Sequence, residues 1–413
     1  IEELLRGFRG AGFNRTWCAQ TFFPISTSLL TQETIWNETA AKREPVRTWS
    51  DSMENFQTYY STRKHNFMAR GGEVLYLQLC NVFIQDQELL KQFVDTIELA
   101  EDEKNLDQLH QRLQNGMKNL YGNYNQTFDN LVKYVEDLVP ETFQYTRQES
   151  RILNCEWCPR DSYQEGYLFA VELSRLLNTD LDPVERLQLF TTGCVLQILR
   201  SLCSQSVRYA GVPSSLYGTN DDAKGSALKY AWVFTPTAVP SKHLRLSSQR
   251  NLQAILGLIQ KALRNEALIN NAKRDRKRTV EQLLSEADNK YGYKLFLLLG
   301  KKLGLIAPYK GPGARFIMTD SILRYMVITL LQPGESCTYD DFLERLYSHY
   351  GIAIEGNNFI DAVKWSGLTV NASAEYNQGS WMSEMLRAGG FLTELSDALS
   401  IVTNTFDKAD LGS

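Results

Sequence analysis

At 413 residues the chain is longer than one hydrophobic core usually serves, so two or three domains are expected. Its composition, 43% hydrophobic and 22% charged, is that of ordinary globular protein and excludes a chain disordered throughout. With 44 Lys and Arg against 48 Asp and Glu the net charge is −4, so no global field selects nucleic acid or a membrane surface.

Residues 1–72 read as an irregular N-terminal segment rich in aromatics, among them Trp17, Trp36, Trp49 and Tyr59. A helical domain is expected over 73–210. Within it Leu106, Leu109, Leu113, Met117 and Leu120 recur at three- and four-residue steps, the spacing of one buried helix face. Residues 86–107 hold eight acidic and two basic side chains, which reads as a solvated helix face. Helices are expected over 164–178 and 183–209, the second started by Asp182 before Pro183. Its apolar stripe is read through Leu187, Phe190, Cys194, Ile198 and Leu202, widened by Val195 and Leu199.

Residues 211–246, punctuated by Pro213, Gly218, Gly225, Pro236 and Pro240, read as an irregular link or insertion with a strand candidate at 230–235. A basic helical region follows over 247–310, in which Leu252, Ile255, Leu256, Ile259 and Leu263 have core spacing. Ten Lys or Arg and two acids fall within 242–278. Cations held along one helix release counterions from a phosphate backbone. Lys261, Arg264, Lys273, Arg274, Arg276, Lys277 and Arg278 are therefore the candidate nucleic-acid-binding residues.

The segment 311–413 has a clearer order. Thr319 or Asp320 caps a helix that carries Ile322, Leu323, Met326, Val327 and Leu330 on one face. A turn at 332–335 ends it, and Thr338 caps a second helix closed by Gly351. A short strand at 352–354, helices at 359–365 and 381–388, and a hairpin over 391–406 complete the series. Helix, helix, short strand, helix and terminal hairpin is an order that resembles the winged-helix superfamily over about 315–406. The resemblance implies either a helix in the major groove of duplex DNA with the hairpin at the backbone, or a protein-docking module. Here the helix offers only Arg387, and the hairpin carries Glu394 and Asp397 without a cation. The fold class expected is therefore mainly α, a helical bundle region with a C-terminal winged-helix-like α+β domain.

The chemistry-bearing motifs are few. Cys155 and Cys158 form a lone C-x-x-C that Cys194 and Cys203 would have to complete for zinc, although free cysteines on an apolar stripe are common small core residues. The seven scattered cysteines read as reduced thiols and place the chain in the cytoplasm. Asp102, Glu103 and Lys104 match a nuclease triplet in letters but lie in a helical run. No Walker, dinucleotide or nucleophile-elbow motif occurs, and no catalytic residue, metal or cofactor is implied. The leading reading is a non-enzymatic scaffold or adaptor subunit of a multiprotein DNA-associated complex, for example in bacterial genome (antiviral) defence or DNA processing. Other protein subunits and DNA are its expected partners, and a membrane is not. A protein-only scaffold is the first alternative, and a nuclease or hydrolase with a site assembled from distant residues is the second.

Overall fold

Leu109 and Leu113, 0% and 4% exposed, form the buried face that their spacing calls for. The computed structural model describes residues 75–118 in part, 163–210, 230–238, 240–273, 279–290, 292–368, 380–396 and 399–409. The N-terminal aromatic segment 1–72, Leu120 and the C-x-x-C lie outside these residues. Helices make up 68% of what is described, so the chain is mainly α with small sheets. No helix among the described residues is long and apolar enough to cross a membrane. Contacts divide the chain into two compact units between Ala170 and Val171.

The first unit contains α1 (Gln87–Asp95), α2 (Glu101–Lys104), α3 (Leu106–Lys118) and the opening turns of α4 (Tyr163–Leu177). Asn105 starts α3 by accepting from the amides of Asp107 and Gln108, both at 3.1 Å. Phe93 of α1 meets Tyr167 edge-on at 6.3 Å, and the Tyr167 hydroxyl donates to the Glu103 carbonyl at 3.1 Å. Gly166 lies so near another segment that a Cβ there would stand 2.4 Å from the Gln78 carbonyl oxygen. The nuclease-like triplet sits in α2, where Asp102 pairs with Arg112 and Glu103 is fully buried.

The second unit takes in the later turns of α4, then α5 (Pro183–Ala210), β1 (Trp232–Pro236), α6 (Lys242–Ala262), α7 (Glu266–Lys273), α8 (Val280–Lys290) and α9 (Tyr293–Leu303). It continues through β2 (Ile306–Ala307), β3 (Arg315–Met318), α10 (Asp320–Leu330), β4 (Ser336–Thr338), α11 (Tyr339–Tyr350) and β5 (Ile352–Ala353). It ends with α12 (Gly356–Trp365), α13 (Ser380–Ala388), β6 (Leu392–Ser396) and β7 (Leu399–Thr403). The expected start signals operate: Asp182 accepts from the Val184 amide at 2.9 Å, Thr319 from Ile322 at 3.4 Å and Thr338 from Asp341 at 3.1 Å. Gly351 closes α11 at φ 73°, a left-handed value that glycine adopts without strain.

A four-stranded sheet, ordered β2-β3-β1-β5, organises this unit. β1 pairs in parallel with both β3 and β5, and β2 runs antiparallel to β3. β1 is covered on both faces, and its residues 232–234 are accordingly apolar without interruption. Trp232 and Phe234 stack on Phe316 at 5.5 and 5.8 Å, with Phe296 of α9 edge-on to Phe316 at 6.4 Å. Ala231 and Val233 face the other way into a cluster with Leu244, Ala353, Phe359 and Val363. The strand assigned to an irregular link is thus interior to a sheet, and the boundary expected between 246 and 247 falls inside α6.

Three further differences have physical reasons. Of the expected stripe on α5, Phe190 and Leu199 are buried but Leu187, Cys194, Val195, Ile198 and Leu202 are only half-buried, while Leu189, Leu196 and Cys203 are buried with Gly193, Gln197 and Arg200. A polar group with buried partners turned the helix away from its apolar stripe. The strand at 352–353 pairs with β1 and not with the C-terminal hairpin. It is β4, in a stretch read from sequence only as a turn and a cap, that pairs with β7, in a sheet ordered β4-β7-β6. Finally, residues 404–409 return to the α4–α5 turn, where the Ala409 amide donates to the Asn178 carbonyl and the Asp180 amide to the Asp407 carbonyl, each at 2.8 Å. The C-terminal segment therefore packs in one unit with α5.

Two side chains of α6 complete the backbone of the sheet. Asn251, fully buried, accepts from the Val233 amide and donates to the Ala231 carbonyl, both at 2.9 Å. Ser248 donates to the Val233 carbonyl at 2.7 Å and accepts from the Phe316 amide at 3.0 Å. Replacing Asn251 by Ala leaves two buried backbone groups without partners and should lower stability by about 3 kcal/mol. Thermal unfolding should then show a fall of roughly 6–12 °C; an unchanged midpoint would refute this role for Asn251.

Candidate functional site

Among the described residues of the second unit, a set of ionisable groups is buried around Glu172 of α4. Its Oε1 accepts from the Arg200 guanidinium at 2.5 Å and from His349 Nε2 at 2.7 Å, and its Oε2 accepts from the Tyr325 hydroxyl at 2.8 Å. Since an ionised carboxylate only accepts, Nε2 is the protonated nitrogen of His349. Arg200 also donates to the His349 carbonyl at 3.0 Å and lies 4.7 Å from the centre of the Tyr350 ring. Thr329 joins Tyr350 through a 2.6 Å hydroxyl contact, and Arg175 donates to the Thr329 carbonyl at 2.9 Å. Gly193 leaves room for the Tyr325 hydroxyl, which would stand 2.5 Å from a Cβ at that position.

Burial alone would push the Glu172 carboxyl up, but the charge of Arg200 and the contacts of His349 outweigh it and hold it at about 2. Burial lowers the His349 ring against the pull of Glu172, so the ring is neutral at neutral pH and Arg200 supplies the balancing charge. Burial and the neighbouring carboxylate raise Tyr325. Glu172, Arg200, Tyr325 and Tyr350 are all at most 1% exposed. This centre joins α4, α5, α10 and α11 and has the character of a structural ionic core.

The candidate nucleic-acid residues fall into different situations. Lys261 is exposed at the end of α6. Arg264 grips Asp288 of α8 through two bonds, 3.2 and 2.8 Å, so its charge is already paired. Lys273 ends α7, and Arg274, Arg276, Lys277 and Arg278 lie outside the described residues. The structure therefore brings Arg264 to an acid and leaves Lys261 free to meet solvent.

Cys194 and Cys203 both lie on α5. Nine residues apart, they stand about 13 Å apart along its axis, too far to share one tetrahedral zinc ion. Burial pushes both thiols up and so keeps them protonated; Cys203 is a core side chain, and Cys194 is half-buried on the flank of the helix. Among the described residues no cluster of His, Cys, Asp or Glu has the makings of a metal site. In the C-terminal elements, Arg387 of α13 pairs with Glu394 of β6, while Leu395 and Leu399 beside the hairpin turn are 59% and 43% exposed. A shallow depression follows one face of α8, lined by Glu281, Gln282, Ser285, Glu286, Asn289 and Lys290.

No family model, curated protein or solved structure matches the chain.

The ionic core has a definite pH signature. Unfolded, His349 takes up its proton near 6.5 and Glu172 near 4.5, whereas the folded values of both are lower. The unfolded state then binds more protons, so stability is full above the ordinary histidine value and declines as pH falls from there towards 2. Denaturant unfolding across pH 7 to 3 should show that decline, and Glu172→Gln should flatten it. At pH 7 Glu172→Gln should also cost about 3–5 kcal/mol by stranding Arg200. The double change Glu172→Leu with Arg200→Met should be more stable than Glu172→Gln alone.

Proposed function

We propose that this chain is a non-enzymatic adaptor subunit of a DNA-associated protein assembly, with a winged-helix-like C-terminal segment that docks protein and a basic region that contacts nucleic acid. The observation that carries the docking role is the Arg387–Glu394 pair. The one cation of the expected groove helix is spent on the hairpin, which has no cation of its own and presents Leu395 and Leu399 to solvent. A phosphate backbone needs free cations, and a protein partner uses exposed apolar side chains. The order α10, β4, α11, β5, α12, α13 and hairpin, with β4 closing a three-stranded sheet on β7, supports the winged-helix reading. A setting such as genome defence or DNA processing rests on this architecture alone.

The ionic core around Glu172 supports a scaffold reading, because its hydrogen bonds hold four helices together. The protein-only alternative draws on the Arg264–Asp288 pair, which removes one of the seven candidate cations from use. Fluorescence anisotropy with a duplex DNA of random sequence separates the two readings. Binding should be present at about 50 mM salt and weaken steeply by about 200 mM. Changing Lys273, Arg274, Arg276, Lys277 and Arg278 together to Gln should reduce the salt dependence. Absence of any binding at the lower salt would leave the protein-only scaffold as the surviving reading.

A further inference from the structure

Two stretches of the chain contain no Asp or Glu at all: residues 223–265, with seven Lys and Arg, and residues 289–319, with six. In a chain of net charge −4 this is a strong segregation. The fold brings the two stretches together, because β1 and α6 belong to the first, and α9, β2 and β3 to the second. β1 pairs with β3 residue for residue, and α6 lies over both.

At one end of α6 the cations gather. Lys242 and Arg245 are exposed in its first turn, where no acidic residue offsets them. The Gln249 amide donates to the Gly313 carbonyl at 3.1 Å, which fixes the β2–β3 loop beside this helix. That loop carries exposed Lys310 and leads into Arg315, whose Nε donates to Thr235 Oγ1 at 3.1 Å and aims the guanidinium across the end of β1. Partial burial and the neighbouring charge of Arg245 both lower Arg315, so two guanidinium groups stand close enough to repel each other. Among the described residues none of these four cations has an acidic partner, in contrast to Arg264 and Lys290, which do. Like charges assembled without counter-charge cost stability and are relieved by an anion.

The same loop holds Tyr309, 59% exposed, followed by Gly311 and Gly313 at φ 94° and 85°. A Cβ at Gly311 would meet nothing within 4 Å, so backbone there is open to close approach. An exposed aromatic ring among unpaired cations on a glycine-rich loop is the arrangement that holds a phosphate backbone while a base stacks. An acidic protein would satisfy the cations but gives no use to the ring.

We infer that the start of α6 and the β2–β3 loop form a binding surface for single-stranded nucleic acid, with Lys242, Arg245, Lys310 and Arg315 on the phosphates and Tyr309 stacked on a base. This rests on the adaptor reading above and adds a second contact, apart from the cluster at 273–278.

The test is anisotropy of the full chain with a labelled single-stranded DNA, the RNA of the same sequence and the matching duplex, each titrated with salt. The variant Lys242→Gln with Arg245→Gln and Lys310→Gln changes only exposed side chains and relieves their repulsion, so it should unfold at a temperature no lower than the parent's. Its salt slope on single strands should be smaller by about 2, since each lost phosphate contact removes roughly 0.7. Tyr309→Ala should weaken single-strand binding about ten-fold and leave the duplex unaffected. Lys310→Gln alone provides a second variant that cannot disturb α6. Equal effects on DNA and RNA assign recognition to phosphate and base; a difference assigns it to the sugar, and either supports the surface. If the triple variant binds like the parent while the Gln cluster at 273–278 loses affinity, this surface is wrong and the adaptor reading stands. If Tyr309→Ala is silent and the duplex binds as well as single strands, the single-strand assignment fails. If the parent binds nothing at about 50 mM salt, both this surface and the nucleic-acid part of the adaptor reading fall.

Discussion

A carboxylate placed in the interior of a helical unit either finds a charged partner or gives up its charge, and Glu172 has found Arg200. The pair determines more than its own geometry. Arg200 reaches past Glu172 to the carbonyl of His349, in the last turn of α11, where unpaired carbonyls and the negative end of the helix dipole favour a cation. Tyr325 and His349 add two further donors to Glu172 from α10 and α11. Four helices are therefore fixed to one another by a single ionised group. Apolar side chains would hold them together as firmly but would tolerate sliding, because burial has no direction.

This constraint explains the rotation of α5. Its apolar stripe would have sent Leu187, Cys194 and Leu202 inward, yet Arg200 must face Glu172, and Gly193 must give way to Tyr325. The helix pays for this in half-exposed apolar area on its other flank. The sheet shows a comparable economy of means. Where the strands leave backbone groups unmatched, Ser248 and Asn251 of α6 reach in and match them, so the helix acts as a neighbour in hydrogen bonding as well as in packing.

Local signals were legible in the sequence. Asp182, Thr319, Thr338 and Gly351 mark helix ends through side-chain or backbone geometry that involves a few neighbouring residues, and each is found where its chemistry requires. The core spacing of Leu109 and Leu113 and of Ile255 and Ile259 reads equally well. What could not be read depends on residues far apart. β4 is three residues long and becomes a strand only because β7 pairs with it some sixty residues later. Arg264 looks like any other cation of a basic run until Asp288 is seen beside it. The Glu172 centre gathers side chains from four separate segments, and no spacing rule connects them. The acid-free stretches were present as letters, and a count of missing acids in place of a count of cations would have found both.

The parallel pairing of β1 carries a consequence for how the chain is made. Phe234 meets Phe316 and Trp232 meets Ile352, partners separated by 82 and 120 residues. During synthesis from the N-terminus, the apolar run of β1 is finished long before either partner strand exists. Closing such long loops is slow, and an unmatched strand edge is a template for pairing with another molecule. α6 follows β1 after only a short turn, and its Ser248 and Asn251 already offer hydrogen bonds to the waiting backbone. The helix that later covers the sheet is thus placed in the sequence where it can shield the nascent strand until its partners arrive.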